Sequence, residues 1–97
     1  MDDTYIQALL SKGQSVLLYF TATWCEPCKT YGPKIESVAK RYPDIRFYKV
    51  SVEDNPKLAS SYEVMSLPTT IYFRPNHTPK VIIGTAPEDK IIHSLGL

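Results

Sequence analysis

Two cysteines separated by two residues are the side chains of this sequence with the clearest chemistry. Cys25 and Cys28 are its only cysteines, and the surrounding string Trp-Cys-Glu-Pro-Cys-Lys at positions 24–29 also holds its only tryptophan. Two thiols at this spacing can close into a small ring, so the pair can store and release two electrons as a disulfide. The apolar run before the pair and the helical pattern after it favour a redox motif over a structural bridge.

Cys25 is predicted to lie where a strand ends and a helix begins. Unpaired backbone N–H groups and the helix dipole stabilise an anion at that point, which makes Cys25 the candidate nucleophile. Cys28 follows three residues later, so its sulfur falls on the same helix face, one turn deeper. The spacing predicts attack on a substrate disulfide by Cys25 and resolution of the mixed disulfide by Cys28. Pro27 stiffens the turn between them.

A metal site is the competing interpretation of the pair. Cys-x-x-Cys is half of a zinc site, which requires two further Cys or His ligands. His77 and His93 are the remaining candidates, lie far from the dithiol in sequence, and are expected to be exposed. We therefore expect no metal. A dimer that shares a metal or an iron–sulfur cluster at the dithiol stays open, as does a redox-inert adaptor.

The composition is that of an ordinary globular protein. The 97 residues suffice for one core, so we expect a single domain over 1–97. A formal charge of +1 with scattered Lys and Arg gives no electrostatic footprint for nucleic acid. No apolar run approaches the length of a membrane span, and the acidic start lacks the layout of a secretory signal. We expect a cytoplasmic monomer without a membrane partner.

The elements that must position the dithiol alternate between helical and extended patterns. Helices are predicted up to Ser11, over 27–42, over 56–62 and from Pro87, and strands over 16–20, 45–52, 69–73 and 80–83. Residues 16–20 are apolar throughout, as in a strand covered on both faces. Asn55 is predicted to cap the third helix, and Pro33 to kink the second. The order predicts an α/β fold with a four-stranded mixed sheet flanked by helices.

The chain resembles the thioredoxin family over nearly its whole length. Family motifs are matched, in order, by positions 24–29, Pro33, Asn55-Pro56, Leu67-Pro68-Thr69 and Gly84. The resemblance implies a thioredoxin-like fold and a protein thiol–disulfide oxidoreductase that acts on disulfide-containing proteins. It also implies a separate thioredoxin reductase or other electron donor. No bound cofactor is implied beyond the redox-active disulfide of Cys25 and Cys28.

The resemblance further implies a groove that holds an extended polypeptide beside the disulfide. Its implied residues are Trp24, Pro27, Leu67, Pro68, Ile83 and Gly84. In the family the proline at the position of Pro68 is cis and faces the dithiol, and X–Pro bonds adopt the cis form at modest cost. A trans proline that enters an edge strand is the alternative.

Tyr19 and Lys49 depart from the family's proton handling. Tyr19 stands where the family has a buried Asp that is thought to relay the proton of the second cysteine. Lys49 matches the lysine that pairs with this Asp, so it lacks its usual partner. The proton of Cys28 must then leave through water or another group, or the resolving step is slower. We expect Tyr19→Asp to change the pH dependence of turnover.

Glu26 and Lys29 place opposite charges next to Cys25. Glu26 replaces the family's usual glycine, and its carboxylate disfavours a thiolate at Cys25, whereas Lys29 acts in the opposite sense. We expect Glu26 to shift the couple toward reductant. A tolerated exposed carboxylate is the alternative.

The start of the chain is short for the family, which usually has an edge strand before the first helix. We therefore expect a sheet without that strand. Residues 45–52 are then left as an exposed edge of the sheet.

Overall fold

A computed structural model describes residues 1–97 as one four-stranded sheet with four helices. The helices are α1 (Asp3–Ser11), α2 (Glu26–Arg41), α3 (Pro56–Ser61) and α4 (Glu88–Leu95), and the strands are β1 (Val16–Thr21), β2 (Arg46–Ser51), β3 (Thr69–Phe73) and β4 (Lys80–Ile83). The strand order is β2-β1-β3-β4; β1 and β2 are parallel, and the other pairs are antiparallel. The predicted α/β class and mixed sheet are confirmed.

β1 lies inside the sheet, and all of its residues are buried. Its side chains alternate between the two faces, as the strand geometry requires. Leu17 and Tyr19 pack with residues of α2 and α4, whereas Val16, Leu18 and Phe20 pack with residues of α1 and α3. Helices thus cover both faces of β1, which explains why its sequence is apolar throughout.

α2 begins at the dithiol and runs through Pro33 to Arg41. Pro27 lies in its first turn, where a missing N–H removes no intrahelical hydrogen bond. The buried side of α2 recurs at spacings of three and four, through Cys28, Tyr31, Gly32, Ile35 and Val38. This face fixes the helix on the sheet and therefore fixes the position of Cys28 above β1.

The start of α3 differs in detail from the prediction. Asn55 occupies the N-cap position, but its side chain makes no capping hydrogen bond to the helix. Instead the Asn55 amide donates to the carbonyl oxygen of Ser51, 3.0 Å away. Ser51 is the last residue of β2, and its carbonyl oxygen needs a hydrogen-bond partner there. The side-chain amide of Asn55 therefore links the end of β2 to the start of α3.

β2 forms one edge of the sheet, as predicted for a sheet without the family's first strand, and β4 forms the other edge. Next to β2, α1 is fixed by polar contacts. The Tyr5 and Tyr48 hydroxyls lie 2.7 Å apart, and the Tyr62 hydroxyl donates to Asp3 Oδ1. None of the four helices combines the length and the apolar character that crossing a bilayer requires.

Candidate active site

Cys25 and Cys28 form a disulfide at the amino end of α2. Their Cα atoms are 5.3 Å apart, and each residue is only 4% exposed. Cys25 is the N-cap residue, and its side chain makes no capping hydrogen bond. The first-turn amides therefore lack a side-chain acceptor from the cap, and together with the helix dipole they favour a negative charge near Cys25.

An apolar pocket of about 480 Å³ opens beside Cys25. We call it the front pocket; it is lined by Trp24, Cys25, Glu26, Pro27, Val52, Ala59, Val64, Met65, Ser66 and Leu67. Trp24 is 68% exposed and Met65 is 94% exposed. Large apolar side chains left in solvent at the rim of a pocket are typical of a surface that contacts another molecule.

The predicted groove residues fall into two sets, one that lines the front pocket and one that does not. Trp24, Pro27 and Leu67 line the front pocket, and Leu67 also packs against the cluster formed by Ala22 and the two cysteines. The Leu67–Pro68 peptide bond is cis, as the resemblance implied.

Pro68, Ile83 and Gly84 do not line the front pocket. The Gly84 N–H donates to the Pro68 carbonyl oxygen at 2.8 Å, which places the end of β4 beside the cis proline. Ile83 is 71% exposed at that end of β4. Ile83 therefore offers an exposed apolar side chain on the β4 side of Leu67, whereas Pro68 itself is buried.

Several residues of the front pocket were not predicted from the sequence. Val52 directly follows β2. Because β1 and β2 are parallel, their carboxyl ends lie side by side at the same end of the sheet. Ligand sites of α/β proteins form at the carboxyl ends of parallel strands, so the position of Val52 after β2 could have indicated that it lies near the site. Val64, Met65 and Ser66 lie in the irregular segment between α3 and β3, where no periodicity indicates which side chains face the disulfide.

A second cavity, of about 490 Å³, lies on the other side of the dithiol behind Cys28. We call it the rear cavity; it is lined by Thr21, Ala22, Thr23, Cys28, Lys29, Gly32, Pro33, Glu36, Lys49 and Ser51. Lys49 therefore lines the same cavity as Cys28.

Tyr19 lies beneath Cys28. Its hydroxyl donates to the Cys28 carbonyl oxygen at 3.1 Å, and the side chain is fully buried. Burial raises the pKa of Tyr19 above its ordinary value of 10.0, so the hydroxyl keeps its proton at neutral pH. Tyr19 is consequently a hydrogen-bond donor to the helix, and it cannot accept the proton of Cys28.

Glu26 and Lys29 contact each other on the surface. Lys29 Nζ lies 2.7 Å from Glu26 Oε1, and both side chains are exposed. The two side chains that we expect to have opposite effects on the Cys25 thiolate therefore form one ion pair. Each charge offsets part of the other's field at the cysteine.

Glu53 holds the loop in front of the dithiol. Its Oε1 accepts hydrogen bonds from the Thr23 amide at 2.7 Å and the Thr23 hydroxyl at 3.0 Å, and its Oε2 lies 2.9 Å from the same hydroxyl. Thr23 immediately precedes Trp24, so these bonds restrain the segment that carries the exposed tryptophan. This contact could not be predicted from the sequence, because 30 residues separate its partners.

The two histidines are exposed and lie away from the dithiol. His77 is in the turn between β3 and β4, and His93 is on α4. No group of three or more His, Cys, Asp or Glu comes together in a geometry that could hold a metal ion. A metal at the dithiol would therefore need ligands from another chain.

Comparisons with known proteins agree on one family. The family model described as Thioredoxin matches residues 1–96. The thioredoxin of Mycoplasma genitalium is 36% identical over 87 residues, which are 90% of this chain and 85% of that protein. Thioredoxin-2 of Saccharomyces cerevisiae is 39% identical over 83 residues, which are 86% of this chain and 80% of that protein.

Solved structures give the same result. The oxidized form of mitochondrial thioredoxin 3 from Saccharomyces cerevisiae has a TM-score of 0.82 and 31% identity, covering 97% of this chain and 89% of that chain. The thioredoxin of Fasciola hepatica has a TM-score of 0.81 and 28% identity, covering 96% of this chain and 90% of that chain. The chain belongs to the thioredoxin family and is a thiol–disulfide oxidoreductase.

Proposed function

We propose that this protein reduces disulfides of other proteins, with Cys25 as the attacking thiol and Cys28 as the resolving thiol. The observation that carries the proposal is a Cys25–Cys28 disulfide at a helix start, next to a pocket rimmed by exposed apolar side chains. Thioredoxins in general act on protein disulfides and are reduced by thioredoxin reductase. A reductase of this kind, or another electron donor, is the proposed second partner.

The proposed reaction consists of two exchanges. The Cys25 thiolate attacks one sulfur of a substrate disulfide, forms a mixed disulfide, and releases the other substrate sulfur as a thiolate. The Cys28 thiolate then attacks Cys25 Sγ, and the second substrate sulfur leaves with its electron pair. Two electrons have moved to the substrate, and the Cys25–Cys28 disulfide has formed. The chemistry is complete with the two cysteines, so we propose no bound cofactor.

The substrate is proposed to be an extended polypeptide that lies across the disulfide. Trp24, Pro27 and Leu67 form the part of the groove that contacts the front pocket. The hydrogen bond from the Gly84 N–H to the Pro68 carbonyl oxygen supports a continuation of the groove on the β4 side.

Ile83 would supply an apolar contact at that end, because most of its side chain is in solvent. An apolar, largely solvent-exposed groove suits unfolded or flexible segments better than a small polar molecule.

We also propose that the protein works as a monomeric, single-domain electron carrier of the cytoplasm that contributes to cell redox homeostasis. A dithiol that must return to its reduced form suits a reducing compartment, where permanent structural disulfides are rare. Sedimentation of the purified protein tests the monomer, and its distribution between cell fractions tests the location.

The experiment for the proposed function is reduction of insulin by dithiothreitol in the presence of the protein. We expect Cys25→Ser to abolish the acceleration, and Cys28→Ser to accumulate a mixed disulfide between Cys25 and insulin that is visible by mass spectrometry. Acceleration that survives Cys25→Ser contradicts the assignment of the attacking thiol. Zinc or iron in the purified protein, measured by elemental analysis, supports the shared-metal alternative instead.

A further inference from the structure

Cys28 must lose a proton before it can attack Cys25, and its surroundings limit where that proton can go. This inference rests on the proposed resolving role of Cys28. Cys28 is only 4% exposed, so little of its surface is open to bulk solvent, and its proton can leave in few directions. The rear cavity is the solvent-accessible space that Cys28 lines, whereas the front pocket touches Cys25 only.

Most titratable groups near Cys28 are unable to accept the proton. Tyr19, from β1, is a protonated donor to the Cys28 carbonyl oxygen. Lys29 and Lys49 already carry their protons as ammonium groups. None of these three groups has a free basic atom at neutral pH.

Two of the nearby carboxylates are engaged elsewhere. Glu26 accepts from Lys29 on the surface and lines the front pocket, on the Cys25 side. Glu53 is bound through both oxygens to Thr23. Neither Glu26 nor Glu53 lines the rear cavity.

Glu36 is the one carboxylate in the lining of the rear cavity. It lies on α2 after Cys28, and helical side chains lean toward the helix start, which directs this one toward the Cys28 end. It is exposed and has no hydrogen bond or ion pair with another side chain. Its negative charge also acts on the buried Tyr19 hydroxyl beneath Cys28, where it opposes ionisation. The Glu36 carboxylate is therefore free to accept a proton, and its charge reaches the groups beneath Cys28.

We propose that Glu36 accepts the proton of the Cys28 thiol through water in the rear cavity, and that Lys49 stabilises the thiolate that results. The cavity of about 490 Å³ has room for several waters, since each takes about 30 Å³ of liquid volume. Lys49 lines the same cavity from β2, so the carboxylate and the ammonium face it from two different elements. In this role Glu36 accepts the proton through water and does not contact the reacting sulfurs.

The resolving step moves one proton and one electron pair. The S–H proton of Cys28 passes through water to the Glu36 carboxylate, and the Cys28 thiolate attacks Cys25 Sγ. The bond between Cys25 and the substrate sulfur breaks, and that sulfur leaves with the electron pair as a thiolate, which takes a proton from solvent. Cys28 and Cys25 together are oxidised by two electrons, and the substrate disulfide is reduced by two.

The test is a single-turnover reaction of the reduced protein with insulin, quenched with acid at successive times to count mixed disulfide and product. We expect Glu36→Gln to slow decay of the mixed disulfide by about tenfold or more near pH 7, which is a modest effect for a lost proton acceptor. The remaining rate should rise in proportion to hydroxide concentration. Glu36→Asp should restore part of the rate.

The sign of the effect separates proton transfer from simple electrostatics. A carboxylate that acted only through its charge would disfavour the Cys28 thiolate, so its removal would speed the resolving step. Unchanged or faster decay of the mixed disulfide in Glu36→Gln contradicts the proposal. Lys49→Met should slow the same step, with recovery at higher pH; an unchanged profile removes Lys49 from it.

Two controls isolate the step. Asp44→Asn removes the same charge from an exposed position that does not line the rear cavity, and we expect its decay rate to match the unmodified protein. In the Cys28→Ser background only the attack by Cys25 occurs, and Glu36→Gln should leave its rate unchanged. If Cys28→Ser accumulates no mixed disulfide, the resolving role itself is wrong; if it does, the result for Glu36→Gln decides the proposal alone.

Discussion

At the scale of single residues, we expect Glu26 to lower the fraction of Cys25 that is thiolate. Its carboxylate lies next to the nucleophile and is bound to Lys29 at 2.7 Å. Replacing it with Gln removes a negative charge and also releases the Lys29 ammonium, and both changes favour the thiolate. We expect the pH midpoint of Cys25 alkylation by iodoacetamide to fall in Glu26→Gln.

Variants of the neighbouring charges check this reading of Glu26. Lys29→Met should move the alkylation midpoint upward, and Asp44→Asn, which removes a distant carboxylate, should leave it in place. A midpoint that stays constant in Glu26→Gln shows that the exposed carboxylate is merely tolerated.

The sequence predicted the reacting residues far better than the groups that support them. Cys25 and Cys28 could be found because their spacing alone defines a small ring. Glu36 could not be assigned a role from the chain, because nothing in the sequence tells which face of α2 meets the rear cavity beside Cys28. The opposing charges of Glu26 and Lys29 could be read from the string, whereas their direct contact could not.

At the scale of elements, the Thr23–Glu53 contact links the loop after β1 to the segment after β2. The Thr23 amide is a direct donor to the Glu53 carboxylate, at 2.7 Å. Removing the acceptor in Glu53→Ala should cost about 1 kcal/mol locally, which corresponds to roughly fivefold faster exchange of the Thr23 amide. Hydrogen exchange followed by NMR measures this rate directly.

Asp54→Ala is the matched control for that experiment, since Asp54 is the next residue and is also exposed. Exchange at Thr23 that is equally fast in both variants, or unchanged in Glu53→Ala, shows that the hydrogen bonds do not restrain the loop. The Trp24 fluorescence spectrum should shift only in Glu53→Ala.

Elements with regular patterns were predicted closely, and irregular segments were not. β1 reads as a doubly covered strand because every residue is apolar, and the structure buries all of them. The segment between α3 and β3 contributes Val64, Met65 and Ser66 to the front pocket. Its side chains follow no period, so their direction depends on tertiary packing that local sequence does not encode.

At the scale of the whole molecule, buried and partly buried tyrosines make stability sensitive to alkaline pH. The pKa values of Tyr19, Tyr31, Tyr48 and Tyr62 are raised above 10.0, mainly by burial. In the unfolded chain these groups lose their protons near pH 10, while the folded protein still holds them. Their contribution to stability is therefore complete below about pH 10 and is lost as pH rises further.

We expect the free energy of unfolding in urea to fall steadily above about pH 10. Tyr62→Phe should fall less steeply, because it removes the group whose hydroxyl donates to Asp3. The tyrosinate absorbance, which does not respond to lysine, should rise sharply on unfolding at such pH. Tyrosinate absorbance that is equal in the folded and unfolded protein contradicts the assignment.

The central claim, that this protein is a reductant of protein disulfides, is tested most directly by the reduction potential of the Cys25–Cys28 couple. Equilibration with glutathione or a reference thioredoxin, followed by acid quench and alkylation of free thiols, gives that potential. A carboxylate at Glu26 that disfavours the Cys25 thiolate would weaken the reduced form, so we expect a value at or below about −270 mV, roughly that of a thioredoxin. A value near −120 mV, roughly that of a strong disulfide oxidant, would contradict the account.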